Sequence, residues 1–274
     1  MAELLSISNI AWPPDADDEA IALSCGLGFS GLELAPSKVL GAWDDWIRGQ
    51  DNAYDSYCRQ LKDKGLVIPA LQAIFFGVTG CSLFVSHEER QAMRNHFVRI
   101  ARLAGRLGSG ACVFGAAATR DPGELTQEEA DRIALDVFAE LAPVFHNEGC
   151  CLCLEANPSF YKCRYVTHTT QAIELVKAVD HPGFRVNIDT GTIIINDEPP
   201  TVIGDAMPYA GHFHVSEKDL APLGSLDCNH RLLGVQMRQA NYHGWRSVEM
   251  RLTSEWQRNL KTAYDLMRDS YRSN

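Results

Sequence analysis

No stretch of this 274-residue sequence is apolar for long enough to cross a membrane, which takes about 18 residues or more. Its first residues, MAELLSISNIAW, lack the basic region and long apolar run of a secretory leader, so the cytoplasm is the expected compartment. Positive charge is also scarce: 25 Lys and Arg face 35 Asp and Glu, a formal net charge of −10. That balance offers no electrostatic footprint for phosphate backbones or anionic lipid and argues against nucleic acid or a membrane as partner. A Gly/Ser/Pro linker, a low-complexity tract and an internal repeat are missing too, so one domain over residues 1–274 is expected. The cysteines number nine, an odd count that makes a disulfide framework improbable and free thiols the expectation. Cys150 and Cys153 formally make a C-x-x-C, but within the run CCLCLE they read as strand residues packed in a core, not as a zinc or redox pair.

Hydrophobic residues, by contrast, make up 46% of the chain, ample for one sizeable core. Short apolar runs alternate with amphipathic segments throughout, the pattern of β/α units and a parallel sheet. The strand candidates are Leu4–Ala11, Gly31–Ala35, Val67–Phe75, Ala111–Gly115, Cys150–Asn157, Phe184–Asp189, His212–Ser216 and Arg246–Arg251. Eight of them predict closure into a (β/α)8 TIM barrel of the α/β class. Helical spacing recurs between them, as in Met93, Phe97, Ile100 and Ala104, or Trp256, Leu260, Ala263 and Met267. Ser86 with Glu89, and Thr126 with Glu129, have the spacing of capping boxes, while Gly65, Gly108, Gly149 and Gly244 stand where helices should stop. The long connection from Pro36 to Asp51, with Trp43 and Trp46, reads as a lid or as the contact of a homo-oligomer.

In such a barrel the reactive groups sit at the C-terminal strand ends. Strands five to eight end in CLCLEAN, RVNIDTG, HFHVSE and RSVEMR, each with an ionisable residue where the apolar run stops. Side chains two apart on a strand share a face, so Glu155, Asp189, His214 and Glu249 can all point inward. Three carboxylates in one enclosed mouth cannot all stay ionised without a cation. One divalent metal ion would leave the cluster at about −1, with His214 as a neutral fourth ligand. This hard, oxygen-rich donor set suits Mn²⁺ first, with Mg²⁺, Co²⁺ and Zn²⁺ also admissible.

These segments resemble those of the xylose isomerase-like TIM barrel superfamily, the sugar phosphate isomerase and epimerase group, through LCLEANPSFY, IDTGT, HFHVSEKDLAPLG and NYHGWRSVEMR. The resemblance covers nearly the whole chain. It implies that Glu155, Asp189, His214 and Glu249 bind one metal and that Glu155 and Glu249 also move protons, so the expected protein is a metal-dependent isomerase or epimerase of a sugar or sugar phosphate. A cation chelated by a sugar's carbonyl and adjacent hydroxyl would stabilise the enediolate formed on proton removal. A lyase or dehydratase acting on a sugar-derived substrate uses the same first step, and a non-catalytic sugar-binding barrel is a third reading. The superfamily's abasic-site endonucleases need several metals and a basic DNA face, which the acidic balance opposes. Ketose 3-epimerases of the group carry a His, an Arg and a Glu where this chain has Thr192, Leu220 and Tyr161, so its substrate handling is expected to differ.

Other polar residues at the same barrel end are candidates for a small carbohydrate substrate: Lys38, Gln72, Arg120, Asn157, Glu217, His230 and Arg251, with Asn9 and Glu33 nearby. Lys38, Arg120 and His230 could meet a phosphate or carboxylate. Glu217 is also expected to steady His214 from behind.

Overall fold

Alternation along each strand sorts its side chains into two sets, and that sorting explains where the core lies. The computed structural model of the chain describes residues 3–40 and 51–272. All eight expected strands are present: β1 Leu5–Ser8, β2 Gly31–Glu33, β3 Ala70–Leu71, β4 Ala111–Phe114, β5 Cys151–Glu155, β6 Phe184–Asp189, β7 Ala210–Val215 and β8 Arg246–Val248. They are parallel and ordered β2-β1-β8-β7-β6-β5-β4-β3, so chain neighbours are sheet neighbours and β1 pairs with β8. This is a (β/α)8 barrel with one irregular seam, where only bridges Gly31–Val67 and Leu34–Leu71 join β2 to the β3 segment. The expected strand Val67–Phe75 shrinks to two residues there because Pro69 has no N–H to donate and Ala73 turns to φ 51°.

Ten helices are described: α1 Asp17–Leu27, α2 Pro36–Leu40, α3 Asp51–Asp63, α4 His87–Leu107, α5 Gln127–Asn147, α6 Thr169–Val179, α7 Thr190–Ile195, α8 Val202–Ala206, α9 His230–Gln239 and α10 Trp256–Ser270. Trp43 and Trp46 lie outside the described residues. Among the described residues no helix is long and apolar enough to cross a membrane. Thr126 and Glu129 cap α5 reciprocally, and Ser86 accepts the Glu89 N–H at 3.1 Å to start α4. The stop expected at Gly244 differs: Asn241 takes the left-handed turn after α9 at φ 57°, which its short polar side chain tolerates.

The large apolar residues of the strands, among them Ile7, Leu32, Leu34, Phe114, Leu152, Leu154, Ile188, Phe213 and Val248, face outward into one core shared with the helices. Met93, Phe97, Ile100 and Ala104 on α4, and Trp256, Leu260, Ala263 and Met267 on α10, meet them from the other side. Inside the barrel, Ala70, Ala111 and Cys153 form a small separate cluster. Cys150 belongs to the outer core and Cys153 to the inner one, since residues three apart on a strand face opposite ways. All nine cysteines are free thiols.

Candidate active site and metal centre

Sheet register gathers the site. Glu155 lies opposite Asn187 across β5 and β6, Asp189 opposite His214 across β6 and β7, and His214 opposite Ser247 across β7 and β8. Glu249 follows β8 directly, and its N–H donates to Val215 O at 3.0 Å, which keeps it in step with β7. The result is a compact centre: His214 Nδ1 stands 3.2 Å from both Glu155 Oε2 and Glu249 Oε2. Asn187 Nδ2 donates to Glu155 Oε2 at 2.6 Å and Asn157 Nδ2 to Glu155 Oε1 at 2.9 Å, so this carboxylate is held from two sides. Asp189 caps α7, accepting the Thr192 N–H at 2.7 Å on one oxygen and the Ser216 hydroxyl at 2.5 Å on the other. On the far side of the imidazole, Glu33 Oε1 faces His214 Nε2 at 2.9 Å and His212 Nε2 at 3.2 Å, and Ser247 Oγ donates to Glu33 Oε2.

Charge in this centre is finely opposed. Burial alone would push His214 down, but Glu33, Glu249 and Glu155 outweigh it and hold the imidazole well above its usual range. Burial would raise Glu33 and Glu155, yet the His214 charge and the donors around each leave both below the ordinary carboxylate range. For Asp189 burial wins, with Glu155 adding to it, and the carboxyl is raised. Glu249 is pushed up to about 7 by burial, against the pull of His214 and with repulsion from Glu155 and Asp189 behind it. The carboxyl groups of Glu33, Glu155, Asp189 and Glu249 thus crowd around a single imidazole, and their mutual repulsion favours a cation among them.

A divalent ion would answer both the charge and the geometry. Glu155, His214 and Glu249 offer ligand atoms within 4.8 Å of one another. Buried His214 Nδ1 has no aligned hydrogen-bond partner, although two carboxylate oxygens stand close, which is the arrangement of donors turned toward a common centre. Asp189 falls outside that trio; its oxygens serve the cap, but each keeps a second lone pair.

Glu155 and Glu249 both line a cavity of about 490 Å³ with Gln72, Arg251, Ile10, Ile74, Phe75, Phe76, Val113, Leu220 and Leu252. Of the substrate candidates, Gln72 and Arg251 line this cavity, and Asn157 stands behind Glu155 at its wall. Arg120, expected on the rim, is wholly buried: it donates to Asn157 Oδ1 at 2.9 Å and lies over the Phe114 ring, so it braces Asn157 and through it Glu155. Lys38 spends its ammonium on the carbonyls of Asn9 and Trp12, and burial lowers its pKa to about 8. Glu217 does not reach His214. Its carboxylate accepts the N–H groups of Gly224 at 2.6 Å and Leu226 at 3.0 Å and faces His230 Nε2 at 3.1 Å, while His230 Nδ1 meets the Tyr271 hydroxyl at 2.8 Å. Buried polar groups need partners, and this pair finds them in the loop after β7 and in the chain end after α10.

A sequence model of the xylose isomerase-like TIM barrel family matches residues 21–270. The chain belongs to this family. No curated protein sequence matches it significantly. Among solved structures, it is similar to D-psicose 3-epimerase from Clostridium cellulolyticum H10, with 17% identity, TM-score 0.80 and coverage of 98% of this chain and 99% of that one. It is also similar to 3-keto-D-glucoside 4-epimerase from E. coli, at 18% identity, TM-score 0.79 and coverage of 97% and 99%. An L-ribulose 3-epimerase gives 14% identity, TM-score 0.78 and coverage of 99% and 95%. At these identities the likeness is one of fold.

Within the family frame, the three departures expected from the sequence now have places. Thr192 donates its hydroxyl to Ala156 O at 2.7 Å, and the Tyr161 hydroxyl accepts the Asp219 N–H at 2.9 Å, so both tie loops together. Leu220 lines the cavity with φ 50°, its carbonyl held by the Arg251 N–H at 2.7 Å. An apolar wall therefore stands where the resemblance led one to look for a cation. Ser216 and Gly115 escaped the sequence reading, and Glu33 was named only as a polar residue near the mouth, with no partner assigned. Glu33 was visible as the acid ending GLE on strand two, but nothing local tied it to His214. Ser216 and Gly115 carry no chemical signature at all and matter only through what they touch.

Proposed function

We propose that this protein is a sugar isomerase or epimerase that depends on one divalent metal ion, manganese foremost, held by Glu155, Asp189, His214 and Glu249. The observation that carries the reading is the convergence of two carboxylates on His214 Nδ1, each at 3.2 Å, at the floor of the cavity they both line. Three carboxylates and an imidazole form a hard donor set, which favours manganese or magnesium over thiolate-seeking metals. When bound, a divalent ion supplies stabilisation of negative charge developing on substrate oxygens.

The chain's own residues do the rest. Glu155 and Glu249 approach the cavity from β5 and from the end of β8, so a substrate carbon between them can lose a proton to one and regain it from the other. Proton transfer to a positioned carboxylate contributes roughly 10²–10⁴ in rate. Asn157 and Asn187 keep Glu155 oriented, and Glu249 is held in step with β7 by its N–H bond to Val215 O. Apolar Ile74, Phe75, Val113 and Leu220 exclude water from the same space. The likeness in fold to psicose, 3-keto-glucoside and ribulose epimerases supports a carbohydrate as substrate.

The test is incubation of the protein and Mn²⁺ in D₂O with ketoses, aldoses, 3-keto-glucosides and sugar phosphates, followed by NMR. Deuterium entering a carbon-bound position with formation of an epimer or isomer is the expected result. Elimination products would move the protein to the lyase class, and no exchange with any sugar that binds would make it a binding barrel.

A further inference from the structure

The carboxylate of Glu33 is the most deeply enclosed charge near the centre, fully buried at the end of β2, and no proton-transfer role falls to it. A carboxylate in such a place must be matched by donors, or its desolvation would be prohibitive. It is matched: His214 Nε2 meets Oε1 at 2.9 Å, His212 Nε2 stands 3.2 Å from the same oxygen, and Ser247 Oγ donates to Oε2. These partners come from β7 and β8, so Glu33 ties β2 across β1 to strands two and three places along the ring.

An ionised carboxylate only accepts, so the nitrogen aligned with it must carry the proton. That nitrogen is His214 Nε2. The other nitrogen, Nδ1, is thereby the one that would release its proton and offer a lone pair when a metal binds, and it faces Glu155 and Glu249. A free imidazole exchanges its two tautomers and turns about its ring axis at little cost, and either change would withdraw Nδ1 from the centre. We propose that Glu33 is a positioning residue which, by accepting the His214 Nε2–H, fixes the ring and its tautomer so that Nδ1 serves as metal ligand. The inference rests on the metal site proposed above. His212 is a neighbouring contact: its Nε2 stands 3.2 Å from Glu33 Oε1 but is not aligned for a hydrogen bond, so the direction at that oxygen is set by His214.

Two measurements test this without recourse to activity. In the wild-type protein loaded with Zn²⁺, a diamagnetic probe, ¹⁵N-edited NMR of the His214 ring is expected to give a metal-bound Nδ1 and a proton on Nε2 protected from solvent. Calorimetric titration of Mn²⁺ into wild type and into Glu33→Gln should then show binding weakened by about 10–100-fold in the variant, the usual cost of losing a carboxylate behind a histidine ligand. Glutamine keeps the shape but presents an amide where an anion stood, so a melting curve checks that the barrel is intact. Zinc on Nε2, or equal Mn²⁺ affinity in wild type and a folded variant, overturns the assignment. If Glu33→Gln does not fold, the wild-type spectrum alone decides. If wild type binds neither ion, the metal site itself is refuted, and that outcome is distinct from a metal site that is indifferent to Glu33.

Discussion

Gly115 sits immediately beyond β4, under the carboxylate of Glu155, and its replacement by alanine separates the site from the fold. A Cβ built on Gly115 would lie 2.3 Å from Glu155 Oε1 and 3.2 Å from its carboxyl carbon. To reach even 3.4 Å, the near edge of ordinary contact, the oxygen must retreat by about 1 Å. The backbone imposes no penalty, since Gly115 is not among the residues with positive φ, and the obstructing atom ends a side chain that can turn. Any loss of stability should thus come from the Glu155 hydrogen bonds that the turn strains, at most about 3 kcal/mol. The carboxylate cannot turn freely without losing Asn157 at 2.9 Å and Asn187 at 2.6 Å, and carboxylate–metal bonds of about 2 Å leave no slack for such a shift. Gly115→Ala is expected to stay folded, melting within about 10 °C of wild type, yet bind Mn²⁺ about 10–100-fold more weakly, with turnover reduced by at least as much. Calorimetric Mn²⁺ titration beside a thermal melt is the assay. Wild-type affinity in the folded variant would mean that Glu155 does not hold the metal in this position.

Glu155→Gln and Glu249→Gln keep side-chain length and one oxygen donor but cannot accept a proton, so each should still bind metal while turnover drops by at least ~10²-fold. If both turn over as fast as the parent, neither glutamate carries the chemistry. Chelation should lower the melting temperature, because an ion at 100 times its dissociation constant contributes ~2.7 kcal/mol, or roughly 5–10 °C for a barrel of this size. Asp189→Ala should abolish that response, and identical melting with EDTA and with Mn²⁺ in wild type would refute a bound ion. His230→Ala removes the partner of Glu217 and of the Tyr271 hydroxyl inside the protein, and is expected to cost ~1–3 kcal/mol in a chemical denaturation curve while metal stoichiometry stays the same. Loss of metal without loss of stability would instead return His230 to the active site.

How much of this was legible beforehand depends on the range over which each feature is decided. The barrel was written in local pattern: eight apolar runs at β/α spacing, helices with matching faces, capping residues and stop residues, all set by neighbours a few positions apart. The inward direction of Glu155, Asp189 and His214 followed from the two-residue period of a strand, which is a property of the chain and not of its partners. Strand limits were less legible, as β3 shows, because an apolar run does not reveal where the backbone leaves the extended conformation, here at Ala73 with φ 51°.

The fate of each polar residue on the loops lay beyond that range. Lys38, Arg120, Glu217 and His230 look in sequence like charges at the mouth, yet each is claimed by a partner that only folding brings near: backbone carbonyls, Asn157, two loop N–H groups and Tyr271. Glu33 is the converse case, inconspicuous in its strand and joined to His214 from 181 positions away. Composition and periodicity thus determined the barrel and the identity of the groups that end its strands. Which of those groups meet one another, and which are spent on holding loops, was decided by the tertiary structure, because hydrogen bonds to buried charges form only at contact distance and contact across a barrel has no trace in sequence spacing.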